Sequence, residues 1–219
     1  MDAPPKIFVF DAYGTLFDVH CVARIHAGAL GPAWDRFSSV WRTKQLEYTW
    51  MHAGMGTCRP FRDVTRQSLL YALAECGIEP GIAPVLLETY QRLEPFPEVP
   101  DAVRRLKSAG ATLAVLSNSD PDMLDDLVES AALGGVFNHV ISARSAGTFK
   151  PAPQVYALAT EAYGVAPYAI RFVSSNRWDA AGAKAFGFRT VWLNRRALPD
   201  EYPDFPADET IADLSELPA

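Results

Sequence analysis

Three short apolar runs in this chain each end abruptly in side chains able to do polar chemistry. Ile7, Phe8, Val9 and Phe10 run into Asp11; residues 113–116 run into Ser117, Asn118, Ser119 and Asp120; residues 170–173 run into Ser174, Ser175 and Asn176. A carboxylate that follows a buried strand and precedes Gly14 and Thr15 suits two tasks. It can cap a turn, or it can serve as a nucleophile or base at a sheet edge. Three such clusters favour chemistry, because ligands of open α/β sheets bind beyond the carboxyl ends of the strands, where all three would converge.

The elements that must position these residues can be read from periodicity. Runs that are apolar at nearly every position suit strands covered on both faces of a parallel sheet. Between them the spacing predicts a helix over 99–109, opened by Pro100 and Asp101 and closed by Gly110. A second is predicted over 121–132, with Asp120 as its N-cap and Met123, Leu124, Leu127 and Val128 on one face. Further helices are expected over 152–164 and 178–187, and weaker strands over 139–142 and 190–193. This alternation implies an α/β fold, a Rossmann-like doubly wound parallel sheet.

Residues 19–94 break the alternation. They read as almost wholly helical, with Trp34, Phe37, Trp41, Tyr48 and Met51 on the face of one long amphipathic helix and two more helices at 63–76 and 83–92. The expected organisation is a core domain of residues 1–18 and 95–219, with a helical cap domain of residues 19–94 inserted after the first strand. Pro95, Pro97 and Pro100 mark the return to the core.

Composition narrows the function classes. With 219 residues, 49% hydrophobic and 21% charged, the chain has the make-up of a globular protein large enough to hold an internal site. A net charge of -6 argues against a nucleic-acid partner, because phosphate binding needs clustered Lys and Arg. No apolar run approaches the roughly 20 residues of a spanning helix, so no membrane partner is expected. The segment MDAPPKIFVF lacks the pattern of a signal peptide. Three widely spaced cysteines (Cys21, Cys58 and Cys76), with no CxxC, indicate a reducing compartment and a cytoplasmic location. The four histidines show no metal-ligand spacing.

Four motifs in order now carry a resemblance. FDAYGTLFD with Asp11, Ser117 followed by Asn118, Lys150 in FKPAPQVYALA, and Asp179 in SSNRWDAAGA resemble the four motifs of the haloacid dehalogenase superfamily. Many of its members are magnesium phosphatases, with a second Asp two positions after the nucleophile and an acid pair at the fourth motif. This chain has Tyr13 and Ser175 at those places. That leaves no proton donor for an alkoxide, and too few hard oxygens for magnesium. Halide departs without a proton. Together with VWRTKQLEYTW at 40–50, these departures resemble the 2-haloacid dehalogenase subfamily.

The resemblance implies that Asp11 attacks the halogen-bearing carbon of a short 2-haloacid with inversion, and that water then opens the resulting ester. It implies no cofactor and no metal. Lys150 would neutralise Asp11. Thr15, Ser117 and the backbone amides after Asp11 (that of Ala12) and after Ser117 would bind the substrate carboxylate or orient Asp11. Ser174 and Tyr156 would support Lys150 or Asp11. Arg42 would receive the halide, with Asn118 as a second donor. Asp179 would be the general base, with Asn176 helping to place water. Tyr13, Leu46, Phe61 and Trp178 would form an apolar wall. The implied partners are a 2-haloacid, a halide and a second copy of the chain. A magnesium-dependent phosphatase and a non-catalytic binding module are the rival readings, and activity on fluoroacetate would turn on how tightly the halide cradle closes.

Overall fold

The computed structural model describes residues 7–218; the reading of residues 1–6 as free of a leader lies outside the described residues. Six strands form one parallel sheet: β1 (Ile7–Phe10), β2 (Thr112–Ser117), β3 (His139–Ser142), β4 (Ile170–Ser174), β5 (Arg189–Leu193) and β6 (Glu209–Ile211), in the order β3-β2-β1-β4-β5-β6. β6 was not anticipated, because three residues with two of them exposed carry no periodic signal. β1 lies between β2 and β4, with Phe10 opposite both Val115 and Val173. The strand order reverses at this point, which opens the crevice where such sheets bind ligands.

Alternate residues of β1 serve opposite faces. Ile7 and Val9 pack with Val155, Tyr156 and Ala183 of α8 (Pro153–Tyr163) and α9 (Arg177–Phe186). Phe8 and Phe10 belong to the core that includes α6 (Val99–Ser108) and α7 (Pro121–Ser130). Met123, Leu124, Leu127 and Val128 of α7 are buried as their spacing predicts.

Five helices intervene between β1 and α6: α1 (Cys21–Ile25), α2 (Ala27–Leu30), α3 (Trp34–Gly54), α4 (Phe61–Glu75) and α5 (Ala83–Tyr90). The short α1 and α2 were not foreseen. The face of α3 differs from the expected one. Its buried residues are Phe37, Ser38, Trp41, Gln45 and Thr49, whereas Met51 is exposed. Steps of four carry the buried stripe from Phe37 and Trp41 onto Gln45 and Thr49, two polar side chains that hydrogen bonding makes tolerable inside.

Asp120 also departs from expectation. Its side chain makes no capping bond to its own helix. Instead Oδ1 accepts from the Phe61 amide at 3.1 Å and Oδ2 from the Arg62 amide at 3.0 Å. A core carboxylate thus satisfies the free amides at the start of α4, where the helix dipole also favours negative charge.

Candidate active site

β1 delivers Asp11 to the centre of the carboxyl edge, and its amide donates to the Val173 carbonyl at 3.0 Å. Gly14 then turns with φ +86°, a left-handed conformation that glycine adopts without a Cβ penalty. This turn brings Thr15 back under the carboxylate: Thr15 Oγ1 donates to Asp11 Oδ2 at 2.9 Å and accepts from the Ser175 amide at 2.9 Å. Asn176 Nδ2 donates to the same Asp11 oxygen at 2.7 Å and to the Tyr13 carbonyl at 3.0 Å. Asp11 itself is only 6% exposed.

Lys150 lies between two acids. Its Nζ is 3.1 Å from Asp11 Oδ1 and 2.8 Å from Asp179 Oδ2, and the side chain is 1% exposed. Burial alone would lower its pKa; the Asp11 and Asp179 charges outweigh this and raise it. Asp179 also accepts from Tyr156 Oη at 2.8 Å and Ser174 Oγ at 3.2 Å. Burial pushes its carboxyl up to about 6; Lys150 opposes the rise and Asp11 adds to it. Among the described residues, no group of three or more His, Cys, Asp or Glu side chains comes together as a metal site. The ammonium of Lys150 occupies the space between the two carboxylates, so the donor set does not fit magnesium.

Arg42, from the middle of α3, reaches across to this cluster. Nη2 donates to the Tyr13 carbonyl at 3.2 Å and to Asn176 Oδ1 at 3.3 Å. A cavity of ≈360 Å³ opens above, with Gly14, Arg42, Leu46, Asn176 and Trp178 in its lining. Tyr13 and Phe61 are not part of that lining; they pack on one another with ring centroids 5.4 Å apart and each is 3% exposed. The Tyr13 hydroxyl pairs with Ser119 Oγ at 2.9 Å, and burial raises its pKa well above the ordinary phenol value.

Ser117 and Asn118, expected to meet the substrate carboxylate or Asp11 and the halide respectively, make these side-chain bonds in the structure. Ser117 Oγ accepts from the Ser119 amide at 3.3 Å, and Asn118 Oδ1 accepts from the Lys150 amide at 2.8 Å, so Asn118 holds the lysine backbone. Tyr156 is fully buried, with its hydroxyl donating to Asp179.

That hydroxyl requires a glycine opposite. A Cβ on Gly182 would lie 2.6 Å from Tyr156 Oη and 2.7 Å from Pro151 Cβ. Gly-to-Ala inside a helix ordinarily adds up to about 1 kcal/mol of stability. Here Gly182→Ala should instead destabilise by about 1–3 kcal/mol through overpacking, and it should lower kcat by moving Tyr156 off Asp179. Urea unfolding and steady-state rates check this, and a stabilised, fully active variant would contradict it.

Residues absent from the sequence reading complete the site. Arg195 follows β5; its Nη2 donates to the Thr15 carbonyl at 2.9 Å and its Nη1 to the Gly14 carbonyl at 3.3 Å, while Glu98 holds its charge. The strand-end rule that picked out Asp11, applied to β5, would have found it. Gln45 bonds Arg42 from a buried position and had no sequence signal beyond its place in the α3 stripe.

A fold with a buried aspartate, lysine and second acid at the switch point of a capped parallel sheet defines a class, and comparison with known proteins agrees. The model of haloacid dehalogenase-like hydrolases matches residues 5–187, and the chain belongs to that family. More particularly, it is 43% identical to the haloacetate dehalogenase H-2 of Moraxella sp. (strain B), over 91% of this chain and 92% of that one. It is also 43% identical to the (S)-2-haloacid dehalogenase of Pseudomonas sp. (strain YL), over 87% of this chain and 83% of that one. The structure of the Xanthobacter autotrophicus L-2-haloacid dehalogenase with chloropropionic acid covalently bound superposes with a TM-score of 0.86 at 36% identity, covering 96% of each chain.

Proposed function

We infer that this enzyme hydrolyses short-chain (S)-2-haloalkanoic acids to 2-hydroxyalkanoic acids with inversion, through an ester on Asp11. One observation carries the reading most strongly: a carboxylate is held ready by Lys150, Thr15 and Asn176, with a tyrosine and not a carboxylic acid two positions on. Position 13 is a tyrosine whose hydroxyl is bonded to Ser119 and held protonated by burial. A leaving group at this site departs as an anion, as halide does.

Asp11 displaces the halide from the face opposite it, and the new C–O bond forms as the carbon–halogen bond breaks. Nucleophile and substrate are both anions, and two unit charges about 4 Å apart repel by roughly 4 kcal/mol at an effective dielectric near 20. Lys150 offsets that repulsion at Asp11. Thr15, with the Ala12 amide, orients the nucleophile and the substrate carboxylate. Arg42 receives the developing halide charge, and Leu46 and Trp178 shield the alkyl group. Water then attacks the Asp11 carbonyl carbon. Asp179, with a pKa of about 6, takes the proton, an apt value for a base working near neutrality. Ser174 and Tyr156 hold Asp179, Asn176 helps to place the water, and the 2-hydroxy acid leaves with an oxygen from Asp11.

In this reading residues 19–94 act as the cap that closes the site. No helix among the described residues is long and apolar enough to cross a membrane. The free cysteines support a cytoplasmic location. Exposed Trp50 and Met51 of α3 and Met55 just after it, with Leu70 and Tyr71 of α4, support pairing of two copies through the cap.

A single turnover of L-2-chloropropionate in heavy-oxygen water, with enzyme in excess and EDTA present, tests the mechanism. Chloride should be released and the first product hydroxyl should be unlabelled. Label in that hydroxyl would mean that water attacks the substrate carbon directly, and silence under chelation would mean that a metal is needed.

A further inference from the structure

Arg42 is held by neutral groups alone. Its guanidinium donates to the Tyr13 carbonyl, to Asn176 Oδ1 and, through Nη1, to Gln45 Oε1 at 2.9 Å. Arg24, Arg62, Arg171, Arg177 and Arg195 each meet a carboxylate. Among the described residues none lies within ion-pairing distance of Arg42. The acceptor that sets its position is an amide in a place where an apolar residue would extend the Phe37 and Trp41 stripe. Gln45 is 1% exposed. Its Nε2 donates to Thr65 Oγ1 at 2.8 Å, and it shares a hydrogen bond with Tyr90 Oη, the Nε2–Oη separation being 3.0 Å. Tyr90 in turn lies flat against Tyr13, with centroids 5.6 Å apart and planes at 11°.

A buried amide with both ends bonded has one orientation, because reversing it would set donor against donor. The Gln45 carbonyl therefore faces the guanidinium. It fixes the direction of Arg42 and leaves its positive charge uncancelled. We propose that Gln45 is a positioning residue that holds Arg42 toward the departing halide without neutralising it, and that Tyr90 and Thr65 lock this arrangement. The proposal rests on Arg42 as the halide acceptor, as read above. A carboxylate in the same place would hold Arg42 equally well but would spend its charge in an ion pair.

Gln45→Glu makes that comparison with almost no change in shape. Loss of one charge-stabilising donor typically costs about 100-fold, so kcat/KM for L-2-chloropropionate should fall about 30-fold or more. The better leaving group depends less on Arg42, so the bromide-to-chloride rate ratio should rise about threefold or more, and inhibition by added bromide should weaken about tenfold. Tyr90→Phe, which removes one of the partners that lock the amide, should shift both quantities in the same direction by a smaller factor, and it decides the matter if Gln45→Glu yields no soluble protein. Arg42→Lys separates the two levels. If it moves neither the halogen ratio nor bromide inhibition, Arg42 does not meet the halide and the reading of the site fails. If it moves both while folded Gln45→Glu and Tyr90→Phe move neither, or lose activity equally for both halogens, Gln45 is structural and the proposal fails.

Discussion

Asp11→Asn should abolish turnover, by about 10⁴-fold or more in kcat, while leaving the protein as stable as before or slightly more so. The first half follows from chemistry: an amide does not displace halide at a useful rate. The second half follows from charge. Asp11, Lys150 and Asp179 form a buried group of two acids and one base, so removing the Asp11 charge leaves a balanced Lys150–Asp179 pair. Thr15 and Asn176 still find an oxygen to bond, while the amide nitrogen then faces the Lys150 ammonium, donor against donor, which limits the gain. Halide release and a thermal melt of the same preparation check both halves. A variant that turns over at more than about a thousandth of the wild-type rate would remove Asp11 from the role of nucleophile.

Lys150→Met should be inactive for a different reason, and it should also be unstable. It removes the one cation from between two buried carboxylates. Breaking a buried pair by deleting one partner typically costs about 3–5 kcal/mol, which for a chain of this size lowers the melting midpoint by about 10 °C. The pH dependence has a definite sign. Asp179 already has its pKa raised to about 6, and losing Lys150 raises it further. A carboxyl with a folded-state pKa above its unfolded value keeps more protons in the folded state, so stability falls as pH rises through that interval. The deficit against wild type should therefore grow as pH rises above about 6, where Asp179 gives up its proton in the wild type but keeps it in the variant, and should be smaller below that pH. A deficit that did not change with pH would mean lost packing alone. Instability in Lys150→Met, set beside a stable Asp11→Asn, would locate the strain in the paired carboxylates and not in the loss of a side chain as such.

The amino-acid sequence by itself determined the parallel sheet, the cap inserted after its first strand and the positions of Asp11, Lys150 and Asp179. Fully buried strands read as unbroken apolar runs, and a residue placed directly after such a run can only emerge at the sheet edge. It also showed a tyrosine at position 13 and a serine at position 175, where related phosphatases carry acids. Tertiary structure alone decided which side chain serves which partner. Asp120 looked like the cap of its own helix and instead caps α4 across the chain. Tyr156 and Asn118 hold Asp179 and Lys150 from behind, Arg195 pins the loop after Asp11, and Gln45 aims Arg42. The physical reason is common to all of them. Periodicity reports how much of a side chain is buried, whereas a hydrogen bond depends on direction over about 3 Å, and partners far apart in the chain, up to 180 positions for Arg195 and Thr15, leave no local trace of that direction. Gln45 is only three positions from Arg42, but its own direction is set by Thr65 and Tyr90, 20 and 45 positions away.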